Sequence, residues 1–254
     1  MVEDDQESTA TGLRVVDFDP LELARQITLI EFEMFKTIKP TEFLDQAWLS
    51  KDKEKLAPGI LSMTKWSTNV SKWVITEIVM EGNIKVRAAL YERFVAIAQH
   101  LEKLNNFNGC IAVLTGLQAS PIYRLKETLN NVNTRVRKLV DELFKAMSSE
   151  LNYKKMRERV HAADPPMIPF PGVYLQDLVF LDAGSKSYMD PEKRIINFQK
   201  HLTCARYIQE LMGYQHAAYA LEPVADIQDF LRNLEVIASE DEQYNKSLEC
   251  EPRT

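Results

Sequence analysis

His201 and Cys204 stand three residues apart in a stretch of helical character, so both would project from one helix face, a spacing that can ligate a metal. A zinc site needs two further ligands, and none lies at a compatible spacing. The pair therefore reads as ordinary side chains on a helix, and no metal is expected. His100, His161 and His216 have no Ser or Cys beside them in a nucleophile motif, which leaves acyl transfer without an apparatus. Neighbouring carboxylates recur, as in EFE at 31–33 and EDE at 240–242. With 27% charged residues they read as solvated helix faces. Phosphate loops and dinucleotide folds need closely spaced glycines, and the eight present form neither G-x-x-x-x-G-K nor G-x-G-x-x-G, so no cofactor is expected. Trp66 and Trp73 read as core residues before a ligand cage.

With catalytic groups so sparse, the elements carry more information than the motifs. A chain of 254 residues, 45% hydrophobic, can build one sizeable core. Its apolar runs fall short of the roughly eighteen residues of a membrane span, and its start, MVEDDQESTATG, is unlike a signal peptide. Residues 1–12 read as a disordered acidic leader ahead of one domain at 13–254. A net charge of −6, with basic and acidic residues interleaved, argues against nucleic acid. Three widely separated cysteines read as reduced thiols in the cytosol.

Helical periodicity dominates. Asp19 can cap a helix that has Pro20 at its first position, with Glu22 completing a capping box; Ala24, Ile27, Ile30, Met34 and Ile38 keep the period and Pro40 stops it. Val86–Leu104 carries Leu90, Phe94, Ile97 and Leu101 on one face and ends at NNFNG. Cys110–Leu117 reads as a helix buried on nearly every side, broken near Pro121. Amphipathic segments come next, at about 134–147, 151–162, 191–212 and 224–237. No strand pattern is convincing, and the fold class is all-α.

DPPMIPFPG at 164–172 is different in kind, because Pro165, Pro166, Pro169 and Pro171 hold it extended while Met167, Ile168 and Phe170 project. It reads either as a stiff connector packed on the core or as a strut that fixes the angle of the next element. That element is a helical hairpin at about 172–212. Its first limb would be closed by a left-handed Gly184, SKSYMD would form the loop, and Asp190 with Pro191 would open the returning helix. Val173, Tyr174, Leu175, Leu178, Val179, Phe180 and Leu181 are too many apolar residues for one buried stripe, so part of that limb must meet something else.

Four stretches, LNNFNGCIAVLTGLQASPIYRLKET, ELNYKKMRERV, DPPMIPFPGVYLQDLVFLDAG and RIINFQKH, together resemble the catalytic domain of Ras-family guanine-nucleotide exchange factors of the Son of sevenless type. The similarity runs in order from about Phe18 to the NKSLECEPR near the end. It implies a single helical bowl with a protruding helical hairpin, whose floor grips switch II of a small GTPase while the hairpin displaces switch I. Matching floor positions are Lys65, Ile111, Thr115, Leu117, Gln118, Ser120, Tyr123, Asn152, Tyr153 and Phe170, and Phe170 and Tyr123 should share one exposed hollow. Matching wedge positions are Gln176, Val179, Phe180, Ala183 and Ser185, with Asp182 adjacent. The implied partner is a GTPase of the Ras, Rap or Ral type, without direct membrane insertion. The implied setting is the cytoplasm, with recruitment to the membrane that carries the GTPase, and the implied activity makes no covalent bond.

Two departures matter. The family usually places a glutamate where this chain has Ala183, and a methyl group can neither repel phosphate nor capture its cations. Either the wedge is mainly steric, or Asp182 reaches in, or exchange is weakened. The region before the domain is also too short and polar for the helical brace that many relatives carry. An exchange-impaired GTPase scaffold and an all-α adaptor for unrelated proteins stand as the rival readings.

Overall fold

The computed structural model describes residues 13–190, 192 and 194–253. The leader expected at 1–12 lies outside the described residues, as does Pro191. Among the described residues the fold is all-α apart from one short ribbon. Helix α1 (Pro20–Thr37) begins as the sequence dictates. The Asp19 carboxylate accepts from the N–H groups of Leu21 at 2.9 Å and Glu22 at 3.1 Å, and Pro20 occupies the first helical position, where no N–H is needed. The capping box does not close, because Glu22 accepts from Arg25 and Gln26 instead. A 3₁₀ segment, Pro40–Leu49, comes after it, with Asp45 and Gln46 left-handed at φ 51° and 53°.

After the single turn α2 (Lys53–Leu56) come α3 (Pro58–Val79), α4 (Ile84–Lys103) and α5 (Phe107–Gln118), which pack with α1 around one apolar core. The Trp73 and Phe94 rings meet edge to face there, 4.9 Å apart. Gly116 sets how closely α5 lies on α3, since a Cβ in its place would stand 2.7 Å from the Ser71 carbonyl oxygen and from Val74 Cβ. The short helices α6 (Ser120–Tyr123) and α7 (Lys126–Asn131) lead to α8 (Thr134–Ala146) and α9 (Glu150–Ala162).

The proline segment is threaded beside the end of α4. Ile168 N–H donates to Asn105 O at 3.0 Å, Phe107 N–H donates to Ile168 O at 2.9 Å, and Met167 and Ile168 are fully buried. The segment is thus a connector packed on the core, and it leads through Phe170 into α10 (Pro171–Gly184).

The hairpin departs from expectation at its tip. Gly184 is not left-handed, and α10 simply ends into an extended Ser185. Tyr188–Asp190 (β1) and Ile195–Ile196 (β2) form a two-stranded antiparallel ribbon, and α11 (Phe198–Gly213) starts with Asn197 as its cap, not Asp190. Every buried residue of α10 lies at or before Leu178; beyond it Phe180 and Ala183 are exposed, while Val179 and Leu181 remain half-buried.

Two further helices, α12 (Ala225–Arg232) and α13 (Glu240–Cys250), close the domain; α12 is shorter than the segment expected at 224–237. Buried Arg87 is satisfied here. Its Nε donates to Thr128 Oγ1 at 2.7 Å, its Nη1 donates to Glu81 O at 2.7 Å, and its Nη2 lies 3.5 Å from Glu251. The Glu251 carboxylate also accepts from the Thr128 hydroxyl and from the N–H groups of Glu127 and Thr128.

Candidate functional site

On α5, Ile111, Thr115 and Gln118 recur at helical spacing, and they alone interrupt the burial of that helix. Leu117 faces the opposite way. It is 3% exposed and belongs to the core, so its place among the floor contacts is corrected. Two hollows flank the exposed stripe. The first, about 330 Å³, lies between α3, α5 and the base of α10 and is lined by Met63, Ser67, Ile111, Thr115, Phe170 and Leu175 among others. The second, about 250 Å³, lies between α5 and the α8–α9 turn and is lined by Gln118, Phe144 and Tyr153 together with the same Ile111 and Thr115. The shared residues make them one floor.

Neither hollow is lined by a histidine, cysteine or carboxylate. The first hollow has apolar walls with a few hydroxyls and suits the anchoring of an apolar side chain, whereas the second is mainly polar, with Thr115, Gln118, Ser148 and Ser149 on its walls. Beneath the floor, Glu31 is fully buried and one of its oxygens accepts from Trp66 Nε1 at 2.9 Å. Burial outweighs the lowering effect of Asn106 and Trp66 and pushes its carboxyl up to about 7.

Ser120 lines a neighbouring cleft of about 480 Å³ between α3 and α13, which also takes in Thr115. Tyr123 lines none of these hollows. It stands 66% exposed at the rim, its ring covered by Lys126 Nζ at 3.6 Å, so the common hollow expected for Phe170 and Tyr123 is not formed. Lys65 is exposed on α3, outside both hollows.

Asn152 and Tyr153 are presented by an unusual device. Leu151, Asn152 and Tyr153 form a left-handed turn at φ 50°, 56° and 56°, with Leu151 82% exposed. Each such residue costs roughly 1–2 kcal/mol against a right-handed one. The turn brings the Tyr153 ring to 5.8 Å from the Phe170 ring. On α10, the face formed by Gln176, Val179, Phe180 and Ala183 follows an i, i+3, i+4, i+7 pattern. Gln176, Phe180 and Ala183 are exposed, while Val179 and, past the helix end, Ser185 are half-buried.

Asp182 points elsewhere. Its carboxylate pairs with Lys200 Nζ at 2.8 Å and accepts from Gln46 Nε2 at 3.1 Å. Burial by itself would raise this carboxyl, but Lys200 and Gln46 together hold it below the usual range. In this arrangement Asp182 braces the hairpin: it ties α10 to α11 and to the 3₁₀ segment. Lys200 and Gln46 went unread in the sequence, as did Met63, Leu175, Arg157 and Asp177. Only Leu175 left a signal, the surplus of apolar residues in its helix.

Residues 22–202 match the RasGEF domain family. Ras guanine nucleotide exchange factor K of Dictyostelium discoideum is 38% identical over 96% of this chain and 16% of its own length. Ras guanine nucleotide exchange factor A of the same organism is 36% identical over 96% of this chain and 42% of its own. The protein son of sevenless of Drosophila melanogaster is 34% identical over 95% of this chain and 15% of its own. The chain spans less than half the length of these relatives. Because the matched span takes in the floor, the proline segment and α10, the chain belongs to the RasGEF domain family.

Proposed function

We propose that this chain binds a small GTPase of the Ras family and accelerates the release of its GDP, leaving GTP to rebind. The observation that carries the reading is the continuity, through Phe170, of an apolar hollow with the exposed face of α10. The floor takes an apolar anchor of switch II; Val179 and Phe180 press on switch I and the metal site beneath it. The push is steric, because Ala183 brings no charge and Asp182 is tied to Lys200. No covalent bond changes.

By linkage, whatever factor the bound exchange factor removes from nucleotide affinity, nucleotide removes from exchange-factor affinity, so incoming GTP frees the catalyst. Distorting two switches calls for a contact on the order of 2,000 Å² or more. The deciding experiment mixes the chain with Ras, Rap and Ral GTPases loaded with fluorescent GDP and follows the loss of signal. Acceleration on at least one of them is expected. Ala183 also favours a second reading, a scaffold that grips without exchanging, and binding of a nucleotide-free GTPase without faster release would select it. The site of action is the membrane on which the GTPase is anchored.

A further inference from the structure

Asp177 sits on α10 more than one turn past the proline segment, to one side of the wedge face. Only 9% exposed, it is the most occupied acid of the hairpin base. Its Oδ1 accepts from Asn152 Nδ2 at 3.0 Å and from Arg157 Nη2 at 2.9 Å, and its Oδ2 lies 2.8 Å from Arg157 Nη1. Arg157 reaches back as well, donating from Nε to Asn152 O at 2.8 Å. One carboxylate, one guanidinium and one amide therefore bind the left-handed turn to the hairpin. A second rung runs parallel to it, since Glu210 of α11 accepts from the Tyr174 hydroxyl at 2.8 Å and lies 3.2 Å from His161 of α9.

We propose that Asp177 is a positioning residue that couples the grip of the floor to the angle of the hairpin. Asn152 and Tyr153 belong to one strained turn: the first holds Asp177, the second faces Phe170 in the floor. A partner that displaces Tyr153 must move or strain the Asn152 and Arg157 contacts, and α10 with them. A bidentate Arg–carboxylate pair suits this task because it fixes direction as well as distance. The turn that makes the contact is held in a sparsely populated backbone region, which persists only because its surroundings fix it.

This inference rests on the exchange reading, and its test separates the two. Asp177→Asn, Arg157→Met and the double variant are compared with the parent on a GTPase that the parent serves. The maximal exchange rate should fall about tenfold in each single variant while affinity for the nucleotide-free GTPase changes far less. The double variant should be no slower than the worse single one, since the two act as a unit. In parallel, deuterium uptake by the backbone amides of residues 178–184 should rise in the variants while α3 and α5 stay as protected as in the parent. Equal losses of rate and affinity, or unchanged uptake in the hairpin, would overturn the coupling. If Asp177→Asn does not fold, Arg157→Met, whose head is partly exposed, carries the same comparison. A parent inactive on every GTPase defeats the exchange reading alone, and the uptake measurement still decides whether Asp177 sets the hairpin.

Discussion

The ring of Phe170 lies folded over Gly172, with its Cζ only 2.5 Å from where a Cβ on that glycine would stand. The glycine is not left-handed, so its backbone would accept alanine; the ring would not. Gly172→Ala should leave the unfolding free energy within about 1 kcal/mol of the parent, because lost chain entropy in the unfolded state offsets part of the displacement. Affinity for a nucleotide-free GTPase should nevertheless fall roughly tenfold or more as the ring is pushed off its seat. Calorimetric unfolding alongside binding isotherms measures both, and unchanged affinity would mean that Phe170 is not an anchor.

Phe170→Ala and Val179→Ala should fail differently. The first removes an aromatic anchor from the floor and should weaken binding at least thirtyfold or so, as for a central hot spot. The second removes two methyl groups from the wedge face and should slow release roughly tenfold with little loss of affinity, if that face acts only on the strained state. Stopped-flow release at saturating exchange factor separates the two. Parental rates in both variants would misplace the site.

Ala183 completes the exposed stripe of Gln176, Val179 and Phe180 without adding charge. Ala183→Glu should therefore accelerate GDP release, by about tenfold if the new carboxylate comes within a few ångströms of phosphate in a partly desolvated setting. Raising the salt should shrink the gain little for so short a distance. No acceleration at any salt would show that charge on this face is irrelevant.

Glu31 makes stability depend on pH. Its carboxyl is raised from 4.5 to about 7 by burial, so between those values the fold binds a proton that the unfolded chain has lost. Its contribution is fully present below the lower value and disappears as the pH rises through the higher one. Glu31→Gln keeps an acceptor for Trp66 Nε1 and cannot ionise. Urea titrations between about pH 5 and pH 8 should show the parent losing stability more steeply than the variant. Parallel curves would mean that Glu31 is charged in the fold throughout.

Much of this architecture could be read from the chain itself, and the failures share a cause. Helix α1 was legible because Asp19, Pro20 and the apolar period all act locally. The floor was legible as Ile111, Thr115 and Gln118 but not as Leu117, whose direction depends on where α3 and α4 pack. The turn at Leu151–Tyr153 has no glycine to betray it, because tertiary contacts from Asp177 and Phe170 hold it in place. The hairpin tip misled for the opposite reason: Asp190 looks like a cap, yet Tyr188 pairs with Ile196 across a ribbon, and Asn197 takes over the cap.

Arg87 gives the domain a keystone at its far end. The guanidinium is sealed inside, and the acid that neutralises it is supplied by residue 251, almost fifty positions past the last residue of the family match. At the opposite end the Val15 carbonyl accepts from Arg93, again outside that match. Trimming the gene to the matched span would strand a sealed cation and strip α12 and α13 from the core. The contacts that complete this core therefore reach from Val15 to Glu251.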